Sequence, residues 1–318
     1  MSIVLSQSAS VSKPMSGQVS NRLARKPLRN IKERIIEAAL LLAACVSVLT
    51  TIGIVYVLVS ESLQFFAHVS VVDFLTDTVW APMFQDARFG ILPLLSATLL
   101  TSAVALSVAI PLGTVIAIYL SEFACSKVRE MFKPILEMLG GIPTIVFGHF
   151  ALVALTPFLQ QFIPGLPGFN MLSAGLIMGV AIIPYISSLA EDAMRAVPMN
   201  IREAAYGMGA TKFQAALGVI FPAALSGVLS AYLLAISRAV GETMIVAVAA
   251  GGQPNLTVNP TDQGQTISAF IVQVAKGDLP HGSIGYQSIF AAGLSLFILT
   301  LLFNVAGHVI RRKFRESY

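Results

Sequence analysis

Residues 138–190 read MLGGIPTIVFGHFALVALTPFLQQFIPGLPGFNMLSAGLIMGVAIIPYISSLA, 53 consecutive positions without an Asp, Glu, Lys or Arg. A water-facing domain carries about a quarter charged residues, so a run of this length does not belong to a soluble surface. In hydrocarbon the logic reverses, because an ionised side chain at the bilayer centre costs several kcal/mol. One helix needs about 20 apolar residues to cross, and the run is long enough for two. The turn-forming segment Ile163-Pro-Gly-Leu-Pro-Gly168 divides it. This predicts helices near Ile135–Leu159 and Met171–Leu189.

Working outward, the same reading finds Ala38–Ser60, with 23 charge-free residues, and Phe89–Ser121, with 33. The second is too long for one straight span and too short for two with a turn. It predicts one tilted helix near Ile91–Leu120, bent around Pro111. Pro222–Ala250 is a fifth span, with Arg238 and Glu242 inside it, and Tyr286–Ile310 a sixth. The totals agree. Of 318 residues 56% are hydrophobic and 11% charged, with a mean hydropathy of +0.80. The expectation is an all-α integral membrane protein with six transmembrane helices.

Orientation follows from the basic residues, which gather on the cytoplasmic side of short loops. With both termini cytoplasmic, 17 of the 20 Lys and Arg lie inside. Arg88 and Lys276 lie outside, and Arg238 sits within a span. The net charge of +4 is thereby a matter of topology, not of nucleic-acid binding. The first 34 residues are Ser-rich and basic, without an acidic residue before Glu33. That is the composition of a disordered cytoplasmic tail, the alternative being an organellar transit peptide.

Enzyme chemistry finds little footing. No Gly-Lys pair occurs, so no phosphate-binding loop of the Gly-x-x-x-x-Gly-Lys-Ser/Thr form exists. His68, His149, His281 and His308 are scattered without metal-ligand spacing. Cys45 and Cys125 offer neither a disulfide framework nor a metal site. No cofactor and no metal are expected.

Two segments remain. The connector between spans four and five reads Glu203-Ala-Ala-Tyr-Gly-Met-Gly-Ala-Thr211, with Pro222 opening the next helix. Small alanines let a short helix seat closely against another protein, and Gly209 lets the chain turn back toward the membrane. The second segment is Ser237-Arg-Ala-Val-Gly-Glu-Thr-Met244. Each charge there costs about 2.5–3.5 kcal/mol at a helix centre, so a substrate pathway is the default reading. On one continuous helix Arg238 and Glu242 would share a face and pair. A structural salt bridge is the plainer alternative. Gly227, Ala231 and Ala235 form a small-residue face for close helix packing.

The spacing from Glu203, Ala204 and Ala205 through Gly209 to Pro222 resembles the EAA motif of ABC importer permeases. Val219 and Phe221 stand where Ile and Leu are usual. Arg238-Ala-Val-Gly-Glu-Thr243 resembles a stretch shared by the permeases of phosphate importers, as do Glu137-Met-Leu-Gly-Gly-Ile-Pro-Thr-Ile-Val-Phe-Gly148 and Phe89-Gly-Ile-Leu-Pro-Leu-Leu95 followed by Pro111-Leu-Gly113. The longer outside loop with Trp80-Ala-Pro82 favours one of that family's two permease branches. The resemblance covers Ile35 to the carboxyl terminus and is weak around Gly252–Gly285.

It implies a type I ABC importer permease fold in a bacterial inner membrane. Residues 1–34 would be the tail, 35–60 the first span and 61–90 a periplasmic loop. Residues 91–310 would form the permease core, with a coupling loop at 191–221, and 311–318 a cytoplasmic end. Glu203, Ala204, Ala205 and Gly209 would couple to an ATPase that supplies the hydrolysis, while Arg238, Glu242 and Thr243 would line the phosphate route. The implied partners are a second permease (PstA), an ATPase dimer (PstB) that binds the ATP, a periplasmic phosphate-binding protein (PstS) and membrane lipid. Rival readings are a permease for molybdate or sulfate and a proton-coupled secondary transporter.

Overall fold

The computed structural model describes residues 27–84 and 86–313, with side chains from Glu33 onward. Most of the tail expected over 1–34, and residues 314–318 of the closing segment, lie outside the described residues. The chain divides into two units, Met1–Val57 and Leu58–Tyr318. Helix α1, Pro27–Phe66, extends past both expected ends of the first span. Its apolar side chains from Ile35 to Tyr56 are largely exposed, as a helix facing lipid requires.

The second unit is built around α3 (Leu92–Phe123) and α6 (Met171–Arg195). Small residues let their backbones meet. A Cβ added at Gly179 would lie 2.7 Å from the Ala105 carbonyl oxygen, and one at Gly175 only 2.8 Å from the Val104 Cβ. Without a hydrophobic driving force inside a bilayer, such close approach is what holds helices together. Helix α3 runs through Pro111 without a break.

The third and fifth spans depart from expectation. Helix α4 (Ser126–Gly140) meets α5 (Thr144–Gln160) at 85° instead of continuing as one rod. The cause is local. Pro143 has an extended backbone, φ −57° and ψ 131°, and holds the preceding residue out of the helical region. Helix α6 begins at Asn170, whose side chain accepts from Ser173 N at 2.7 Å, and it ends in Arg195. A short helix, α7 (Met199–Gly207), lies in the following connector. Next, α8 (Lys212–Ala223) meets α9 (Leu225–Val240) at 73°. The fifth span then breaks again at residues 241–243 before α10 (Met244–Ala249). Helix α9 does present Ala231 and Ala235, both buried, as its small-residue face. The last helix is α12, Ile284–Lys313. Among the described residues there are thus four unbroken spans and two bent pairs, six crossings if each pair is one.

Both outside segments are built into the fold. Residues 61–90 contain α2 (Val71–Thr76) and a hairpin of β1 (Trp80–Ala81) and β2 (Arg88–Phe89). Phe65, Phe74, Trp80, Phe89 and Phe270 form an edge-to-face aromatic cluster there. Arg88 holds Asp77 through two bonds of 2.9 and 3.0 Å. The segment around Gly252–Gly285 contains α11 (Ile267–Gln273), with Ile267 and Phe270 fully buried. His149 is exposed. The neighbouring Gly148 faces α10, where an added Cβ would be 3.0 Å from Val248.

Gly179→Val should force α3 and α6 apart and lower stability by about 1–3 kcal/mol. Gly53→Ala, with nothing within 4 Å of the new Cβ, should be neutral. Thermal unfolding in detergent compares the two.

Candidate functional site

Arg238 lies in the last turn of α9, beside α6. Its guanidinium carbon sits 4.1 Å from the centroid of the Tyr185 ring, within the range of a cation–π contact. The Tyr185 hydroxyl donates to the Gly140 carbonyl oxygen at 3.2 Å. One side chain therefore closes the end of α4 and supports the cation on α9. Sequence reasoning missed Tyr185, because nothing local in the chain links it to residues 45 positions before and 53 after.

The pairing expected of Arg238 with Glu242 is not made. Gly241 ends the helix, so the two residues do not stand on one continuous face. Glu242 Oε1 instead accepts the backbone N–H of Met244 at 3.2 Å and of Ile245 at 3.5 Å, capping α10. The Glu242 carbonyl oxygen accepts from Ser268 Oγ at 2.6 Å. This ties the break to α11, in a segment read as an outside loop. Thr243 turns its hydroxyl onto the Gly241 carbonyl oxygen at 3.2 Å.

Tyr185, Leu234, Ser237, Arg238, Gly241 and Glu242 line a common cavity of about 470 Å³. Thr243 is not among its lining residues. Arg238 makes no hydrogen bond or ion pair to a described residue, and Glu242 Oε2 is likewise unengaged. The cavity is thus lined by a guanidinium without a carboxylate partner and by a carboxylate with one free oxygen. A planar fork of N–H donors beside an acceptor suits an oxyanion that carries its own proton.

A second cluster lies at the connector. Helix α7 carries Glu203 and Ala204 exposed and Ala205 buried. Gly209 follows with φ +83°, and Ala210 N donates to the Ala205 carbonyl oxygen at 3.1 Å. This closes the helix by a left-handed cap that glycine adopts freely. The residue before Glu203 holds the helix in place. Arg202 Nη1 donates to both oxygens of Glu122, at 2.6 and 2.7 Å, and Nη2 to the Met194 carbonyl oxygen at 2.8 Å. Both side chains are nearly buried, 12% and 3% exposed. Beside them Lys133 pairs with Glu191 at 2.8 Å and Asp192 at 2.5 Å. These pairs tie α7 to the end of α3, and α4 to α6. Met199, Met208 and Phe213 remain exposed around α7.

Apolar spans, a small-residue bundle, a short connector helix pinned by ion pairs and a broken span with an unpaired cation describe a transport subunit. Residues 109–316 match the family described as the binding-protein-dependent transport system inner membrane component. The chain belongs to that family, and its architecture is that of a type I ABC importer permease. A probable ABC transporter permease protein of Bacillus subtilis, YqgH, is 31% identical over 290 residues, 90% of this chain and 91% of the relative. The phosphate transport system permease protein PstC of Mesorhizobium japonicum is 34% identical, over 75% of this chain and 78% of the relative. A solved bacterial alginate ABC transporter superposes with a TM-score of 0.63 at 16% identity, covering 92% of this chain and 99% of that one.

Removing one partner of a nearly buried ion pair costs about 3–5 kcal/mol. Arg202→Ala should therefore loosen α7 and speed hydrogen exchange over Met199–Gly207. Combining it with Glu122→Gln should recover part of the loss, as a double-mutant cycle would measure.

Proposed function

We propose that this chain is the permease subunit of an ATP-driven importer and conducts inorganic phosphate across the inner membrane. The observation that carries this reading is the state of Arg238. A guanidinium in the middle of the fifth span rests on the Tyr185 ring, has no carboxylate partner among the described residues, and lines a cavity. An isolated cation in that position is expensive, and an anion arriving from outside would supply the missing partner.

Glu242 sharpens the choice of anion. Phosphate near neutral pH retains at least one proton, which can be donated to the free Oε2. Sulfate has no such proton and would meet the carboxylate as a like charge. The site would thus reject sulfate by repulsion while accepting phosphate. The similarity to proteins named phosphate transport permease supports the same substrate.

The chain carries no ATP-binding loop, so the energy would enter through a partner. The exposed surface of Glu203, Ala204, Met208 and Phe213 is the surface for an ATPase dimer of the PstB kind. A second permease of the PstA kind would complete the pathway, and a PstS-type periplasmic protein would deliver phosphate. The Arg202–Glu122 pair would carry movement of α7 into α3.

Uptake of labelled phosphate by phosphate-starved cells, with the partner subunits present, tests the assignment. Arg238→Ala should lower uptake at least tenfold, since hydrogen bonds to a charged group contribute about 1.5–3 kcal/mol each. Uptake should fail on ATP depletion and survive a proton uncoupler, as a secondary transporter would not. Glu242→Gln keeps an amide oxygen able to cap α10 but removes the negative charge. It should raise competition by sulfate more than it lowers phosphate uptake, and unchanged selectivity would dismiss the role given to Glu242.

A further inference from the structure

A second polar cavity lies where α9 begins and α12 ends. It encloses about 500 Å³ and is lined by Ser226, Gly227, Ser230, His308, Arg311 and Arg312. Two arginines and a histidine share this space with no carboxylate in the lining among the described residues. Elsewhere around the connector Lys133 pairs with Glu191 and Asp192, Arg195 with Glu191, and Arg202 with Glu122, whereas Lys212, like the two arginines of this cavity, has no carboxylate partner among the described residues.

The contacts that Arg311 does make are to neutral groups. Nη1 donates to Ser230 Oγ at 3.3 Å, and Nη2 to His308 Nδ1 at 3.1 Å. Ser230 is itself fixed, its hydroxyl donating to the Ser226 carbonyl oxygen at 2.8 Å. Arg312 makes no hydrogen bond or ion pair to a described residue. Like charges near one another repel, and among the described residues no carboxylate meets either guanidinium.

The setting says what would neutralise them. Helix α12 approaches α9 so closely at Gly307 that an added Cβ there would overlap the Leu233 side chain. The cavity opens just beyond this contact. Leading up to it, Leu301, Leu302, Val305 and Val309 are exposed along α12. An apolar face therefore runs directly into a basic recess at the helix end. That is the order of chemistry met on passing from acyl chain to headgroup, and basic pockets between helices at the cytoplasmic surface suit anionic headgroups.

We propose that this cavity binds a phosphate-bearing anion, and that its occupant is the headgroup of an anionic phospholipid. Arg311 and Arg312 would hold the phosphate while the acyl chains lie on the Leu302, Val305 and Val309 face. This site is separate from the cavity at Arg238 and does not depend on what that cavity conducts.

The full-length protein, purified in mild detergent, would be offered equal amounts of phosphatidylglycerol and phosphatidylcholine, and the retained lipid counted by native mass spectrometry. The wild type should retain phosphatidylglycerol preferentially. The Arg311→Ala/Arg312→Gln variant should lose that preference, by about tenfold in retention for each charged contact removed. Size-exclusion chromatography confirms its folding. Ser230→Ala, which removes no charge, should lower retention less. In a parallel arm, millimolar inorganic phosphate should leave the bound lipid in place. Displacement there would overturn the lipid assignment and give the site to free phosphate. Equal retention of the two lipids by the wild type, or of phosphatidylglycerol by wild type and double variant, would overturn the proposal entirely.

Discussion

In hydrocarbon a backbone N–H or C=O without a partner has no water to turn to, and each one costs several kcal/mol. This chain nonetheless interrupts its helices at residues 141–143 and 241–243. Side chains meet the obligation at both breaks. The Tyr185 hydroxyl takes the carbonyl at the end of α4, Glu242 takes the first N–H groups of α10, and Ser268 takes the Glu242 carbonyl. A further bond of this kind, from Ile267 N to Thr98 Oγ1 at 3.1 Å, anchors α11 to α3. The polar residues of the membrane interior are thus distributed by backbone demand, and Arg238 stands where that demand has been met by others.

The rest of the architecture follows from how firmly each part is held. Helices α3 and α6 meet through glycine and alanine with their backbones nearly touching, and such contacts have little room to slide. Helix α4 is fastened to this frame by polar bonds, Lys133 to Glu191 and the Tyr185 hydroxyl to the Gly140 carbonyl, whereas α9 packs so closely on α6 that a Cβ added at Gly227 would overlap Ala193. Rocking of bundles around a central site is how transporters with broken helices alternate their access. The ion pairs of Arg202 and Lys133 join α7 to α3 and α4 to α6.

Much of this was legible in the sequence, and the parts that were not share a cause. Charge-free intervals located the four unbroken spans, because charge is excluded from hydrocarbon whatever the fold, and the third and fifth predicted spans correspond to the two bent pairs. The bend after Gly140 was legible in part from Gly-Gly-Ile-Pro, although its 85° angle was not. The break at Gly241 was hidden inside an unbroken apolar run, since a glycine alone does not stop a helix. The contacts of Arg202 with Glu122 and of Lys133 with Glu191 join residues 80 and 58 positions apart, a distance no local pattern reports. The burial of α11 was obscured by the polar run Gln265, Thr266 and Ser268, whose composition resembles an exposed loop.

The aromatic seat under Arg238 bears on how quickly a ligand can leave. A guanidinium clamped by a carboxylate must break that bond to receive an anion and remake it afterwards, so each passage waits on the protein. One resting on a ring is supported through its face, and its edge stays open throughout. Exchange at that edge leaves the support undisturbed, and the slow step shifts to stripping water from the incoming ion. Turnover would then be governed by the anion's own hydration shell, and ions of equal charge would be sorted by how readily they shed it.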